Sequence, residues 1–388
     1  MRVFGRMSTL LLIAGLVVSL SASAASQEGD LQKRLQARVE ELLEKGGYPG
    51  LTAAIALPDG QVLTAAAGWA DPQHKTPMKP THRMLAGSVG KTFVAAAILQ
   101  AVDDGVLDLD TRIERWLGRE TWFGRLPNAR ALTLRLLLSH RSGLPDHTDE
   151  EQFRKAVTSQ LTKRWSPQEL IQWVLDKKPA FAAGSKYSYS DMNYIVAGLV
   201  FETATGHRLF DEVSRRIVKP FGLDQTAPTE TDLLENVVPG ELDPRTLKIA
   251  GLSIRDGHLV YNAQSEYAGG GMISTSRDLA RWAKLLWEGK VFSRAMLDQM
   301  LDAKPSEQGL KYGLGVEVAQ SEAGPVYAHD GWIPGYVTAM IYFPNYKIAT
   351  AIQINADPLK RFKVPPDACI GRIAGVALKD LLPKKASK

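Results

Sequence analysis

The chain has 388 residues, 45% of them hydrophobic and 23% charged, enough for an extensive core and unlike a disordered or fibrous protein. Its formal charge of +5 is spread thinly, without the dense basic stretch that tracks a phosphate backbone, so no nucleic-acid partner is expected. The one cysteine, Cys369, rules out an intramolecular disulfide and a cysteine-based metal site, and reads as a small buried residue on a helix.

At the N-terminus, Arg2 and Arg6 precede an apolar run from Leu10 to Leu20 and then Ala22-Ser23-Ala24, the pattern of a secretory signal peptide with a small-residue cleavage site. The run is roughly eleven residues, well short of the about twenty needed to span a bilayer. Residues 1–24 are therefore expected to be removed, leaving residues 25–388 as one catalytic unit with a charge of 5 − 2 = +3, periplasmic or secreted and without a stable membrane anchor. From Leu31, the apolar residues Leu31, Leu35, Val39, Leu42 and Leu43 mark an amphipathic helix stopped by Gly46-Gly47. Leu51 to Leu57 and Gln61 to Gly68 then form a hairpin around Pro58-Asp59-Gly60. From about Ser88 to Leu223 the pattern is mostly helical, with Val94, Ile98 and Val102 in one segment and Leu170, Trp173 and Val174 in another. A second hairpin, Tyr336 to Phe343 and Tyr346 to Ile354 around Pro344-Asn345, is followed by a closing helix over residues 367–382. Strands at both chain ends with helices between them predict an α+β fold, an antiparallel sheet flanked by helices with an inserted, mostly helical lobe.

The segment Leu85-Ala86-Gly87-Ser88-Val89-Gly90-Lys91-Thr92 carries the chemistry. As a phosphate loop it lacks its first glycine, which would fall at Leu85, and as a nucleophile elbow it has Ala86 where glycine belongs. As Ser-x-x-Lys at a helix start it places Ser88 and Lys91 on one helical face, where an ammonium reaches a hydroxyl and helix-start amides favour an oxyanion. Farther on stand Tyr189-Ser190-Asp191 and His329-Asp330-Gly331-Trp332. His329 and Asp330 make a poor Ser-His-Asp triad, because adjacent strand residues point to opposite faces. His140, Asp146 and His147 lack metal-ligand spacing, and Thr148 to Glu151 reads as a capped, acid-rich helix start, so neither metal nor cofactor is expected.

In this order, Ser88 with Lys91, Tyr189 with Asp191, and His329-Asp330-Gly331 resemble the serine β-lactamase and penicillin-binding protein family, in the branch of class C enzymes, DD-carboxypeptidases and related esterases. Leu136 to Pro145, Gly269 to Thr275 and Tyr312 to Gly315 match the connecting stretches of that family, so the resemblance spans nearly all of residues 25–388. It implies a secreted serine hydrolase with Ser88 as nucleophile, Lys91 and Tyr189 as its activating pair, and Asp191, His329, Asp330, Gly331 and Trp332 around the substrate. His329 would wall the groove, and the backbone N–H groups of Ser88 and Trp332 would form the oxyanion hole. The implied substrates are a cell-wall D-alanyl-D-alanine peptide, a β-lactam or, on the same scaffold, an ester or amide.

Two residues depart from the family pattern. Asp191 stands where many members have asparagine and can only accept hydrogen bonds. Ionised and close to Lys91, it would hold the lysine cationic and move the base role toward Tyr189, with an alkaline optimum. Asp330 replaces the threonine or serine that helps hold a substrate carboxylate, and its charge would repel one, which favours substrates without that group.

Overall fold

The computed structural model describes residues 28–231, 233–307, 309–357, 362–379 and 381. The expected signal peptide, at residues 1–24, lies outside them. A nine-stranded antiparallel sheet forms the frame. Its strands in chain order are β1 (Gly50–Ala56), β2 (Val62–Asp71), β3 (Thr76–Pro77), β4 (Lys304–Pro305), β5 (Lys311–Tyr312), β6 (Glu317–Ser321), β7 (Gly324–Ile333), β8 (Tyr336–Phe343) and β9 (Ile348–Ile354). Across the sheet they run β4-β5-β6-β7-β8-β9-β1-β2-β3, so β1 pairs with β9, from Leu51 opposite Ile354 to Ala56 opposite Ala349. That pairing joins the two ends of the chain and leaves the helical middle as an insertion, as the distribution of patterns predicts.

Both hairpins fall at the expected turns. Gly60 takes φ +91°, and the Asp59 carboxylate accepts the Gln61 N–H at 3.0 Å, a local bond that favours the turn over a continued strand. The helix α1, residues 28–46, and the helix α5, Pro366–Leu378, cover one face of the sheet, where Leu35, Val39 and Leu42 meet Ile55, Ile352 and Ile373. Cys369 is buried in α5, as expected. Because β1 and β9 are buried along their whole length, they read as continuous apolar and small-residue runs and not as alternation.

Three further helices carry the interior: α2 (Gly90–Asp103), α3 (Asp191–Thr205) and α4 (Ser276–Trp287). Helix α4 packs on β1, β8 and β9 and holds α2 through Trp282. The indole of Trp282 is fully buried, stacks on Phe93 at 4.4 Å, and donates to Thr92 Oγ1 at 2.8 Å. Replacing Trp282 with Ala removes this packing and leaves a cavity under α2; denaturant unfolding is expected to show a loss of about 3–5 kcal/mol, and a loss near zero would contradict the role given to that contact.

Candidate functional site

Ser88 sits in a single 3₁₀ turn, Gly87–Val89, that runs directly into α2. Gly87 takes φ +52°, and a Cβ there would lie 2.8 Å from the Trp332 backbone nitrogen. A Cβ on Gly331 would collide with the Ala86 carbonyl and stand 2.9 Å from Ser88 N. Two glycines therefore let the Ser88 turn lie against β7, bringing the Ser88 and Trp332 amides to the same place, as the oxyanion-hole expectation requires.

One turn into α2, Lys91 is completely buried. Its ammonium donates to Ser88 Oγ at 2.9 Å, to Asp191 Oδ1 at 2.5 Å and to the Gly269 carbonyl at 2.5 Å. All three N–H bonds are used, so no donor of the buried ammonium is left without an acceptor. Asp191 opens α3, and its own N–H donates to Asp146 Oδ2 at 2.9 Å. Burial works against ionisation of Asp146, yet bonds from His147, Thr148 and the Asp191 amide hold its carboxyl well below the usual range.

Tyr189 lies beside this centre, its ring centroid 4.9 Å from the Lys91 ammonium. Its hydroxyl is buried beside the Ser88 side chain, the contact that favours its ionised form. Burial, and then the charge of Asp191, raise the phenol well above its ordinary value of 10, so Tyr189 is protonated at rest. Asp191 does reach Lys91 as the sequence suggests, but the same carboxylate opposes the phenolate that a shift of the base role would need. The ring is held by His140, stacked on it at 4.1 Å. His140 accepts the Ser190 N–H on Nδ1 at 3.2 Å, so the proton of its neutral ring is on Nε2; burial and the Lys91 charge depress its pKa well below 6.5.

Around these groups opens a cavity of about 540 Å³, lined among others by Ser88, Tyr187, Tyr189, Tyr312 and Trp332. Asp330 faces it, as expected, and so does Gly331. His329 does not wall it: with 1% of its surface exposed, its imidazole turns to the other face of β7 and lies behind Tyr312. There Nδ1 donates to the Asp330 carbonyl at 2.6 Å and Nε2 accepts from the Tyr312 hydroxyl at 2.9 Å. Burial pushes the imidazole down to about 4, so it is neutral. The part assigned to His329 passes to Tyr312. Trp332 keeps its place at the rim, 45% exposed and with its Nε1–H fixed on Asp357 at 2.9 Å.

Four carboxyl groups of the cavity, Asp146, Glu266, Glu307 and Glu317, escape the motif reading. Glu317 on β6 meets Asp330 on β7, and burial together with the Asp330 charge pushes Glu317 up to about 8. At neutral pH this pair holds a proton.

A family model described as Beta-lactamase matches residues 35–368. Penicillin-binding protein 4* of Bacillus subtilis is 24% identical over 81% of this chain and 70% of its own length. Among solved structures, the D-amino acid amidase of Ochrobactrum anthropi, in complex with L-phenylalanine amide, superposes with a TM-score of 0.76 and 26% identity, covering 91% of this chain and 99% of that one. A D-stereospecific amidohydrolase from Streptomyces superposes with a TM-score of 0.74 and 26% identity, over 89% of this chain and 97% of the other. With that match across its length, and with a Ser-x-x-Lys pair in contact at the centre of its cavity, the chain belongs to the beta-lactamase family, whose members are serine hydrolases acting through an acyl-enzyme.

Proposed function

We propose that this protein is a secreted amidase or peptidase that acylates Ser88 with substrates bearing a free amino group and no carboxylate near the scissile bond. The observation that carries the reading is the charge of the cavity. Asp146, Asp191, Glu266, Glu307, Glu317 and Asp330 line it, and among the described residues no lysine or arginine does. Lys91 lies beneath the floor with its charge committed to Asp191. Even with a proton held by Glu317 and Asp330, such a cavity attracts an ammonium and repels the terminal carboxylate of a D-alanyl-D-alanine peptide or a penicillin. The likeness to the two amidohydrolases supports the amide class over the carboxypeptidase and β-lactamase classes. The export pattern of residues 1–24 supports the extracytoplasmic location.

In this mechanism Ser88 Oγ attacks the amide carbonyl and passes its proton to Lys91 as Lys91 passes one of its own to the Asp191 carboxylate; Tyr189 gives its hydroxyl proton to the leaving nitrogen and is reprotonated by Lys91, which takes its proton back from Asp191. The contacts suit both tasks: Lys91 touches Ser88 Oγ and Asp191 Oδ1 at once, and Tyr189 holds a proton at a buried hydroxyl beside Ser88. The Ser88 and Trp332 amides meet the oxyanion.

Three measurements test this. For D- or L-phenylalanine p-nitroanilide against its N-acetyl derivative, kcat/KM is expected to favour the free amine by about tenfold or more, an amount within reach of one close charge pair. Asp330→Asn should narrow that ratio, and a preference for N-blocked peptides with a free C-terminal carboxylate would contradict the reading. For a permanently cationic trimethylammonium substrate, KM should fall about 3- to 10-fold between pH 7 and 9. A carboxyl raised to about 8 is neutral below that pH and charged above it, so the wall at Glu317 gains negative charge as pH rises; an unchanged or rising KM would contradict this. Gly331→Ala, which forces the Ser88 turn off β7, should lower kcat by about 100-fold or more, the cost of a misplaced oxyanion donor, with circular dichroism unchanged.

A further inference from the structure

Glu266 is one of the cavity carboxyls that neither the motifs nor the acylation step use. It stands in the segment Ala263–Gly269, which passes beneath the Ser88 turn and supplies the Gly269 carbonyl to Lys91. The segment is held in a costly conformation: Tyr267 takes φ 39° and ψ −124°, outside the regions open to a side-chain-bearing residue. Its ring is packed on α3 at Gly198, where a Cβ would lie 2.7 Å from the Tyr267 ring. The next turn is equally tight, since a Cβ on Gly270 would meet Glu266 Oε2 and the Gly87 carbonyl, each at 2.9 Å. The Glu266 carboxyl and the peptide that leads into Ser88 thus flank the same glycine. Half-buried, it lines the cavity, and among the described residues its oxygens accept no protein hydrogen bond, while Lys91 spends its three on other acceptors. A carboxylate so placed lines the same cavity as Ser88 and is open to a molecule within it.

We propose that Glu266 is the general base of the second half-reaction, accepting a proton from the water that hydrolyses the Ser88 acyl-enzyme. This assignment rests on the acyl-enzyme reading above. The water oxygen bonds to the acyl carbon as one of its protons passes to Glu266. The bond between that carbon and Ser88 Oγ then breaks, and Oγ regains a proton from the Lys91–Tyr189 pair, which Glu266 resupplies. The product leaves as the carboxylic acid. The groups facing Glu266 are Asp191, Lys91 and Asp146; burial first, and then the two carboxylates against the lysine, raise it to about 8. That is a suitable basicity for a water-activating group in neutral to mildly alkaline medium.

The test is a burst experiment with phenylalanine p-nitrophenyl ester, whose good leaving group makes deacylation limiting. In Glu266→Gln the nitrophenolate burst should persist while the steady rate per burst-active site falls about 100-fold or more, the usual worth of a general base. A Ser88-linked acyl mass should accumulate, and the rise of the wild-type steady rate through pH 8 should disappear. Glu266→Asp should fall between the two. A steady rate per active site within about threefold of wild type in both variants would overturn the assignment. A wild-type protein that forms no Ser88 ester would overturn the acyl-enzyme reading and this assignment with it, whereas normal wild-type turnover with unaffected variants overturns the assignment alone.

Discussion

The site is organised around one buried cation. The Lys91 ammonium has no exposure to solvent, and three acceptors converge on it: the Ser88 hydroxyl one turn away, and the Asp191 carboxylate and Gly269 carbonyl from distant parts of the chain. Removing one partner of a buried ion pair typically costs about 3–5 kcal/mol, because the charge left behind has lost both water and its counter-ion. The three acceptors belong to the nucleophile turn, to the first residue of α3 and to the glycine run after Tyr267. The helical lobe and the segment returning to the sheet are therefore fixed relative to Ser88 by the same ammonium. Glycines at 87, 270 and 331 complete the arrangement by letting three backbones approach where any side chain would intrude.

That cation also sorts the acids around it. Asp191, in contact with the ammonium, acts as its counter-ion. Glu266, farther off and burdened by Asp191 and Asp146, is raised toward neutrality, and Glu317 is raised by Asp330 at the other end of the cavity. A set of carboxyls with no guanidinium or ammonium on the lining, among the described residues, gives the groove a negative sign, and that sign is the basis of the substrate class proposed above. The family is settled by the length of the match, whereas the substrate class proposed here rests on charge.

Some of this was legible in the sequence and some was not. The spacing of Ser88 and Lys91 predicts their contact because three residues of a helix start bring side chains to one face, and Tyr189 and Asp191 follow from the family pattern. The two hairpins, the opening and closing helices and the helical insertion are visible because apolar periodicity reports which face meets a core. Alternation along β7 correctly separates His329 from Asp330, yet it cannot tell which face is the groove; Tyr312, arriving from β5, decides that by covering the imidazole. Glu266, Glu317 and Asp146 carried no local signal, since isolated acids in loops and strands are ordinary until the fold gathers them. Their meaning lies in tertiary placement, and only the strained turn at Tyr267, invisible to periodicity, marks the segment as special.

The most direct test of the central claim, that a Lys91-anchored Ser88 serves a cavity selective for cationic substrates, is to map the covalent adducts by peptide mass. Wild-type and Ser88→Ala proteins would be quenched after brief exposure to phenylalanine p-nitrophenyl ester or to benzylpenicillin. The account predicts an acyl group on the Ser88 peptide from the amino-acid ester, none in the Ser88→Ala protein, and penicillin left both unattached and unconsumed. A Ser88 adduct formed as readily from penicillin, or penicillin consumed without one, would show that the acidic lining does not exclude a carboxylate and would contradict the account.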